Sequence, residues 1–180
     1  MIKTKHLTLR PLNEVDVREF LELEIRNRDF FAKYSISRSE SFYTLERQIE
    51  SIKRAKKAME DDAMYRFGIF LNESGKLIGT VAFNDIIRGG IQSCFIGYTL
   101  DQELNGKGYA SEAVKGMVDY GFNVLNLHRI EAGVMPSNLP SQRVLEKCGF
   151  IREGLARKNV NINGKWEDHY TYGIVNPKDE

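Results

Sequence analysis

With 180 residues, 42% of them hydrophobic, the chain has the size of one domain with a full core. Its 26 Lys and Arg stand against 25 Asp and Glu, and a formal net charge of +1 excludes the strongly basic character of a nucleic-acid or membrane-surface binder. No apolar run reaches the length of a membrane span and no secretory signal opens the chain, so a cytoplasmic protein is expected.

In chain order, Leu7-Thr8-Leu9 reads as a first strand, and Asn13 with Asp16 caps a helix carrying Val17, Phe20, Leu21 and Ile25. A second helical pattern uses Leu45, Ile49, Ile52 and Met59, and the two helices are expected on one face of a sheet. Between them, residues 27–43 fit neither period. Phe30, Phe31, Tyr34, Phe42 and Tyr43 sit there among polar residues, either as a packed loop or as a substrate-binding wall with Tyr34 as a contact. The basic run Lys53-Arg54-Ala55-Lys56-Lys57 is balanced by Glu60-Asp61-Asp62 and reads as a solvated helix face. Residues 65–71 and 77–83 are strands around Asn72-Glu73-Ser74-Gly75-Lys76. Cys94 and Cys148 lie in apolar patterns and read as buried thiols; no metal cluster is visible.

The apolar strand Cys94 to Leu100 is followed by Asn105-Gly106-Lys107-Gly108-Tyr109-Ala110-Ser111-Glu112, a glycine-paired turn into a helix over residues 110–125. The first N–H groups of a helix have no internal partner and sit at its positive end, so such a turn favours an anion. Neither a P-loop nor a G-x-G-x-x-G fingerprint is present, and Lys107 is either a charged contact or an exposed turn lysine. The plan then repeats. Residues 130–134 alternate as a strand, Asn138 is placed as an N-cap, Pro140 and Ser141 lie in the first helical turn, and Gly149 suits the position after the helix. Two helix N-termini are thus expected at one sheet edge. Asn163-Gly164 marks a hairpin between 155–162 and 165–174, in which Trp166, Asp168, Tyr170 and Tyr172 share a strand face.

These segments resemble the acetyl-CoA-binding core of the GNAT acetyltransferases, and more narrowly the RimJ/RimL-type ribosomal-protein N-terminal acetyltransferases. The resemblance runs over nearly the whole chain: Thr8 to Leu12, Ile96-Gly97-Tyr98, Asn105 to Glu112, Asn138-x-x-Ser141 through Gly149-Phe150, Glu153-Gly154 and Asn163-Gly164. It departs at Asn105, where the family usually places Gln or Arg. The resemblance implies one α/β domain over residues 1–180, a mixed central sheet flanked by helices, with splayed central strands binding acetyl-CoA.

It further implies that Tyr98, Thr99 and Leu100 hold the pantetheine through backbone groups, and that Asn105, Gly106, Lys107, Gly108, Tyr109 and Ala110 hold the pyrophosphate. Ser141 falls where RimJ/RimL-type enzymes use a serine as proton donor to the departing thiolate, and residues 139–148 contain no tyrosine for that task. Helix capping is the other reading of Ser141, as it is of Asn138, which the resemblance places on the pantetheine arm. Glu153 matches the family's carboxylate position and is the expected base, unless it is spent in a salt bridge with Arg152 or Arg157. Asp168 is either a second carboxylate for a cationic substrate or half of a cross-strand pair, and His128 and His169 are structural or exposed. An α-amine, with a pKa of about 8, needs little help to lose its proton. The expected activity is therefore acetyl-CoA-dependent N-acetylation of a protein N-terminus, with CoA as product. A polyamine or other small-amine acceptor, a non-catalytic acyl-CoA sensor and a homodimer are left open.

Overall fold

Short apolar stretches, punctuated by Gly, Asn and Asp, become eight strands in the computed structural model, which describes residues 1–179. They are β1 (Ile2–Lys3), β2 (Leu7–Pro11), β3 (Tyr65–Leu71), β4 (Leu77–Ile87), β5 (Ser93–Leu100), β6 (Arg129–Val134), β7 (Ile151–Ile162) and β8 (Lys165–Val175). The helices are α1 (Val17–Arg26), α2 (Arg28–Ala32), α3 (Leu45–Glu60), α4 (Tyr109–Asn123) and α5 (Leu139–Lys147). All strands join one sheet in the order β1-β2-β3-β4-β5-β6-β8-β7. Every neighbour pair is antiparallel except β5 and β6, which run parallel because α4 carries the chain back between them.

The period-2 alternation of the strands sorts their side chains between two cores. Leu7, Leu9, Ile69, Val81, Phe83, Cys94, Ile96 and Ile130 face α4, whose Ala113, Val114 and Met117 are fully buried against them. On the opposite face a smaller core of Leu12, Phe70 and Leu77 takes Val17, Phe20 and Leu23 of α1 and Ile52 of α3. The α1 expectation needs correcting. Ile25 is 52% exposed and Leu23 buried, because the helix starts at Val17 after a 3-10 turn at Glu14–Asp16 and turns the Val17-Phe20-Leu23 stripe inward. The α3 basic run lies outside, with Lys53 on Glu14 and Lys57 on Asp61, as a solvated face.

Residues 27–43 form α2 and a 3-10 turn at Glu40–Tyr43. Side-chain hydrogen bonds hold this wall. Asn27, 2% exposed, accepts from Gln102 N–H (2.9 Å), while Arg26 reaches Asp101 (2.6 Å) at the end of β5. Gln48 of α3 donates to Phe42 O (2.6 Å), and Asn163, in the β7–β8 turn, donates to Ala32 O (2.9 Å). That turn has φ of +54° at Asn163 and +85° at Gly164, the left-handed pair a two-residue hairpin requires. Both cysteines are free and buried, and no helix among the described residues is long and apolar enough to cross a membrane.

Candidate active site

The parallel pair β5–β6 is joined over three residue pairs only, Ser93 to Phe95 with Arg129 to Glu131. Beyond Phe95, β5 stays on β4 as far as Leu100, while Ala132 to Val134 of β6 stay on β8. The sheet is therefore open between its central strands. Asp101 N–H donates to Ile78 O (2.7 Å), which makes Asp101 and, at intervals of two, Thr99 and Gly97 the residues bonded to β4. Tyr98 and Leu100 consequently aim their backbone N–H and C=O into the opening, where an extended arm can pair with them as an added strand.

Two helices point their N-termini at this opening, and they differ. At α5, Asn138 Oδ1 accepts from Ser141 N–H (3.3 Å), so the cap is filled from within the chain. At α4 the cap residue is Gly108, and the first helical bond runs from Glu112 N–H to Gly108 O. The N–H groups of Tyr109, Ala110 and Ser111 have no acceptor among the described residues, which suits an anion. Glu112, the acid of that turn, is drawn away by Thr4 (2.6 Å) and His6 (2.8 Å). Gly106 and Gly108 have φ of +81° and +83° with open space where a Cβ would stand, so conformation, rather than crowding, calls for glycine there. Asn105 and Lys107 are exposed beside them.

Where the opening meets α5, the Tyr98 hydroxyl lies 2.8 Å from Ser141 Oγ and 3.3 Å from Ser141 O. Ser141 is itself capped by Asn138, so its hydroxyl is free of capping duty. Burial pushes the Tyr98 phenol above its ordinary range, against the opposing pull of the Ser141 hydrogen bond, and it stays protonated at neutral pH.

On the sheet face away from α4, a cavity of about 310 Å³ reaches the same point. Its floor includes Thr80, Ala82, Gly97 and Thr99, and its roof is α1 with the 27–43 wall, including Phe31, Phe42 and Tyr43. Among its lining residues Glu24 is the sole carboxylate, facing Arg28, Arg38 and Arg66. Burial raises the Glu24 carboxyl above the usual range, while Arg38 and Arg66 pull it down. Tyr34 is half-buried in the wall and does not line the cavity.

Neither carboxylate expected from the sequence lines this cavity. Glu153 is tied to Arg129, at the closed end of the β5–β6 pair, instead of to Arg152 or Arg157; Arg129 Nη1 is 2.9 Å from its Oε1 and a second bond joins Nη2 to Oε2. That guanidinium holds the Glu153 carboxyl below the usual range, and Arg152 stacks on Tyr170. Asp168 accepts from Lys158 N–H (2.8 Å), fastening the β7 bulge in which Lys158 has φ of +46°. His169 is 7% exposed with Asn159 at 2.9 Å, and His128 meets Asp179. Sequence reasoning missed Glu24, Arg66 and the Tyr98 hydroxyl. A signal for Glu24 was present, since it follows Phe20 by four and Val17 by seven, on the apolar stripe of α1.

A splayed parallel pair with an uncapped helix N-terminus beside it is the geometry of an acyl-CoA site, and the family comparison agrees. The model described as "Acetyltransferase (GNAT) domain" matches residues 6–151. The chain belongs to the GNAT acetyltransferase family. It is an N-acetyltransferase, and acetyl-CoA is its acyl donor. Along its whole length this GNAT chain is 53% identical to "Probable N-acetyltransferase YjcK" of Bacillus subtilis (strain 168), covering 99% of that protein. The ribosomal-protein-S5-alanine acetyltransferase structure from Vibrio fischeri superposes with a TM-score of 0.93 at 32% identity, over 99% of this chain and 97% of that one. "Spermidine N(1)-acetyltransferase" of Vibrio cholerae serotype O1 is 32% identical over 90% of this chain and 88% of its own. RimJ/RimL-type enzymes are thus among the relatives of this GNAT protein, and so is a polyamine enzyme.

Proposed function

We propose that this GNAT enzyme transfers acetyl to the N-terminal α-amine of a protein, with the amine held in the 310 Å³ cavity. The observation that carries the reading is the charge of that cavity. A polyamine needs several carboxylates, whereas one carboxylate and three arginines line this wall, which suits a single amine on a chain end. The S5-alanine acetyltransferase fold match supports the same acceptor class.

The acyl donor supplies an activated thioester. The backbone groups of Tyr98 and Leu100 orient its pantetheine arm, and the N–H groups of Tyr109, Ala110 and Ser111 receive its pyrophosphate beside Gly106, Lys107 and Gly108. Ser141 Oγ, oriented by the protonated Tyr98, gives a proton to the departing sulfur. Glu24 takes the place expected of Glu153 and Asp168: it attracts the incoming amine and accepts its proton directly or through water. Gly108→Val is expected to weaken acetyl-CoA binding about tenfold, because holding a valine in the left-handed conformation costs roughly 1–2 kcal/mol and escaping it turns the amides of the first helical turn. Calorimetric titration checks this, and unchanged affinity would remove the pyrophosphate from the turn.

Glu24→Gln is expected to lower kcat/KM and yet raise Tm at pH 7. A carboxyl whose folded-state pKa is raised contributes stability below its unfolded value, near 4.5, and loses that contribution as pH rises through the folded one. The gain should therefore vanish when melts are repeated below about pH 4.5. A Tm advantage that persisted in acid would contradict the assignment. The acceptor itself is tested by CoA-thiol release, confirmed by product mass, on peptides with free Ser or Ala N-termini, lysine peptides with blocked N-termini, and spermidine. Acetylation of the free N-termini is expected; transfer to spermidine alone would overturn the reading.

A further inference from the structure

Of the three arginines in the cavity wall, Arg28 is already matched, with Glu40 on its guanidinium and the Tyr43 ring 4.4 Å from it. The other two are not. Arg66, half-buried on β3, donates only to Ser51, through Nη1 to Oγ (3.2 Å) and Nη2 to O (3.3 Å). A guanidinium carries five N–H donors, so three remain without an acceptor among the described residues. Arg38, at the exposed rim, lies over the Phe42 ring at 4.7 Å and has no hydrogen bond or ion pair among the described residues.

Both guanidinium groups face one cavity, and Glu24 is the sole carboxylate there. Glu24 has no hydrogen-bonded partner among the described residues, so it is not consumed in a salt bridge with either arginine. The cavity thus holds an unpaired anion and two unpaired cations side by side. The Phe42 and Phe20 rings, which also line the cavity, lie 4.7 Å from the Arg38 guanidinium and 5.7 Å from that of Arg66. A guanidinium whose donors are unspent matches a carboxylate, which its planar fork binds through two parallel hydrogen bonds.

We propose that the acceptor is zwitterionic, with a carboxylate close to the amine that is acetylated, and that Arg66 and Arg38 bind this carboxylate while Glu24 faces the amine. The inference rests on the reading of this cavity as the acceptor site. Before substrate arrives, burial and, to a smaller extent, the neighbouring Arg38 disfavour the Arg66 charge, against the pull of Glu24. An incoming carboxylate relieves both penalties, and an acceptor carrying a second cation in its place would add to them. Two sources share the required chemistry: an acidic side chain just after the N-terminal residue of a protein, and the α-carboxylate of a free amino acid.

The test measures kcat/KM with the full chain on C-terminally amidated peptides beginning Ser-Asp, Ser-Ala and Ser-Lys, otherwise identical, and on serine against serine amide. The expected order is Asp over Ala over Lys, with Asp over Ala by about tenfold or more, the size of a charge-assisted pair. Arg38→Glu, at the exposed rim and compatible with folding, should reverse the order, and Arg66→Gln should flatten it. Preference for serine over its amide, with the peptides indifferent, would support the zwitterion and assign the anion to an α-carboxylate. Equal rates for the three peptides, with serine no better than its amide, would overturn the inference and leave acetylation of N-termini intact. Turnover of spermidine alone would instead remove the acceptor reading on which it stands.

Discussion

Ser141→Ala is expected to lower kcat by about 10²–10³-fold, with acetyl-CoA affinity little changed. The expectation follows from a division of labour inside one helical turn. The Ser141 N–H is taken by Asn138 Oδ1, and the Ser141 hydroxyl is taken by Tyr98 at 2.8 Å, so removing the hydroxyl leaves the helix cap in place. Tm should therefore stay near the parent value while the leaving sulfur loses its proton donor. Tyr98→Phe probes the same pair from the other side. The phenol, kept protonated by burial, shares a 2.8 Å hydrogen bond with Ser141 Oγ in which either oxygen can donate, so it fixes where the serine hydroxyl stands at the opening. Its loss should lower kcat as well, and the double variant should be no slower than the slower single one, because the two hydroxyls act as a unit. Additive losses would show two independent roles, and full activity of Ser141→Ala would leave the serine as a structural residue only.

Gly79→Ala is expected to destabilise the protein by about 3 kcal/mol, at the upper end of overpacking penalties. A Cβ at position 79 would stand 2.1 Å from Thr99 O and 3.1 Å from Leu100 Cα. Those are backbone atoms of β5, and they move only if β4 and β5 separate. For a domain of this size the corresponding fall in Tm is roughly 6–12 °C. The strain falls on Thr99 and Leu100, beside the open edge of the sheet, so acetyl-CoA affinity should fall with stability. Gly90→Ala is the control, since nothing lies within 4 Å of its Cβ position, and its effect should stay within about 0.5 kcal/mol. Thermal melts of both variants decide the matter. A Gly79→Ala protein as stable as its parent would mean that the β4–β5 contact is looser than the geometry describes.

Elements whose signal lies in neighbouring residues were legible in the chain. The alternation of Cys94 to Leu100, the stripe of Ala113, Val114 and Met117, the Asn138 cap and the Asn163-Gly164 turn each report a local backbone preference, and each stands where its pattern placed it. The helix starts after the glycine turn and at Asn138 were legible for the same reason, as short motifs joined to a strand or helix start. Glu24 was harder to see, because the α1 stripe was assigned to Leu21 and Ile25 while the helix starts at Val17 and turns Leu23 inward.

Partner choice was not legible. Glu153 is close in sequence to Arg152 and Arg157, and its carboxylate binds Arg129, brought across by the β6–β8–β7 order of the sheet. The 27–43 segment has no period because its aromatic and basic side chains answer to a cavity shared with β3, β4 and β5, and not to a repeating face of its own. By itself, then, the sequence determined the strands, the helices, the glycine turn before α4 and the class of enzyme, all of which depend on spacing along the chain. Tertiary structure alone decided where the central strands part, which carboxylate lines the cavity and which arginines in its wall have no acid on them. Those depend on contacts between residues dozens of positions apart, and a charge acquires a free or occupied state only once packing has chosen its neighbours.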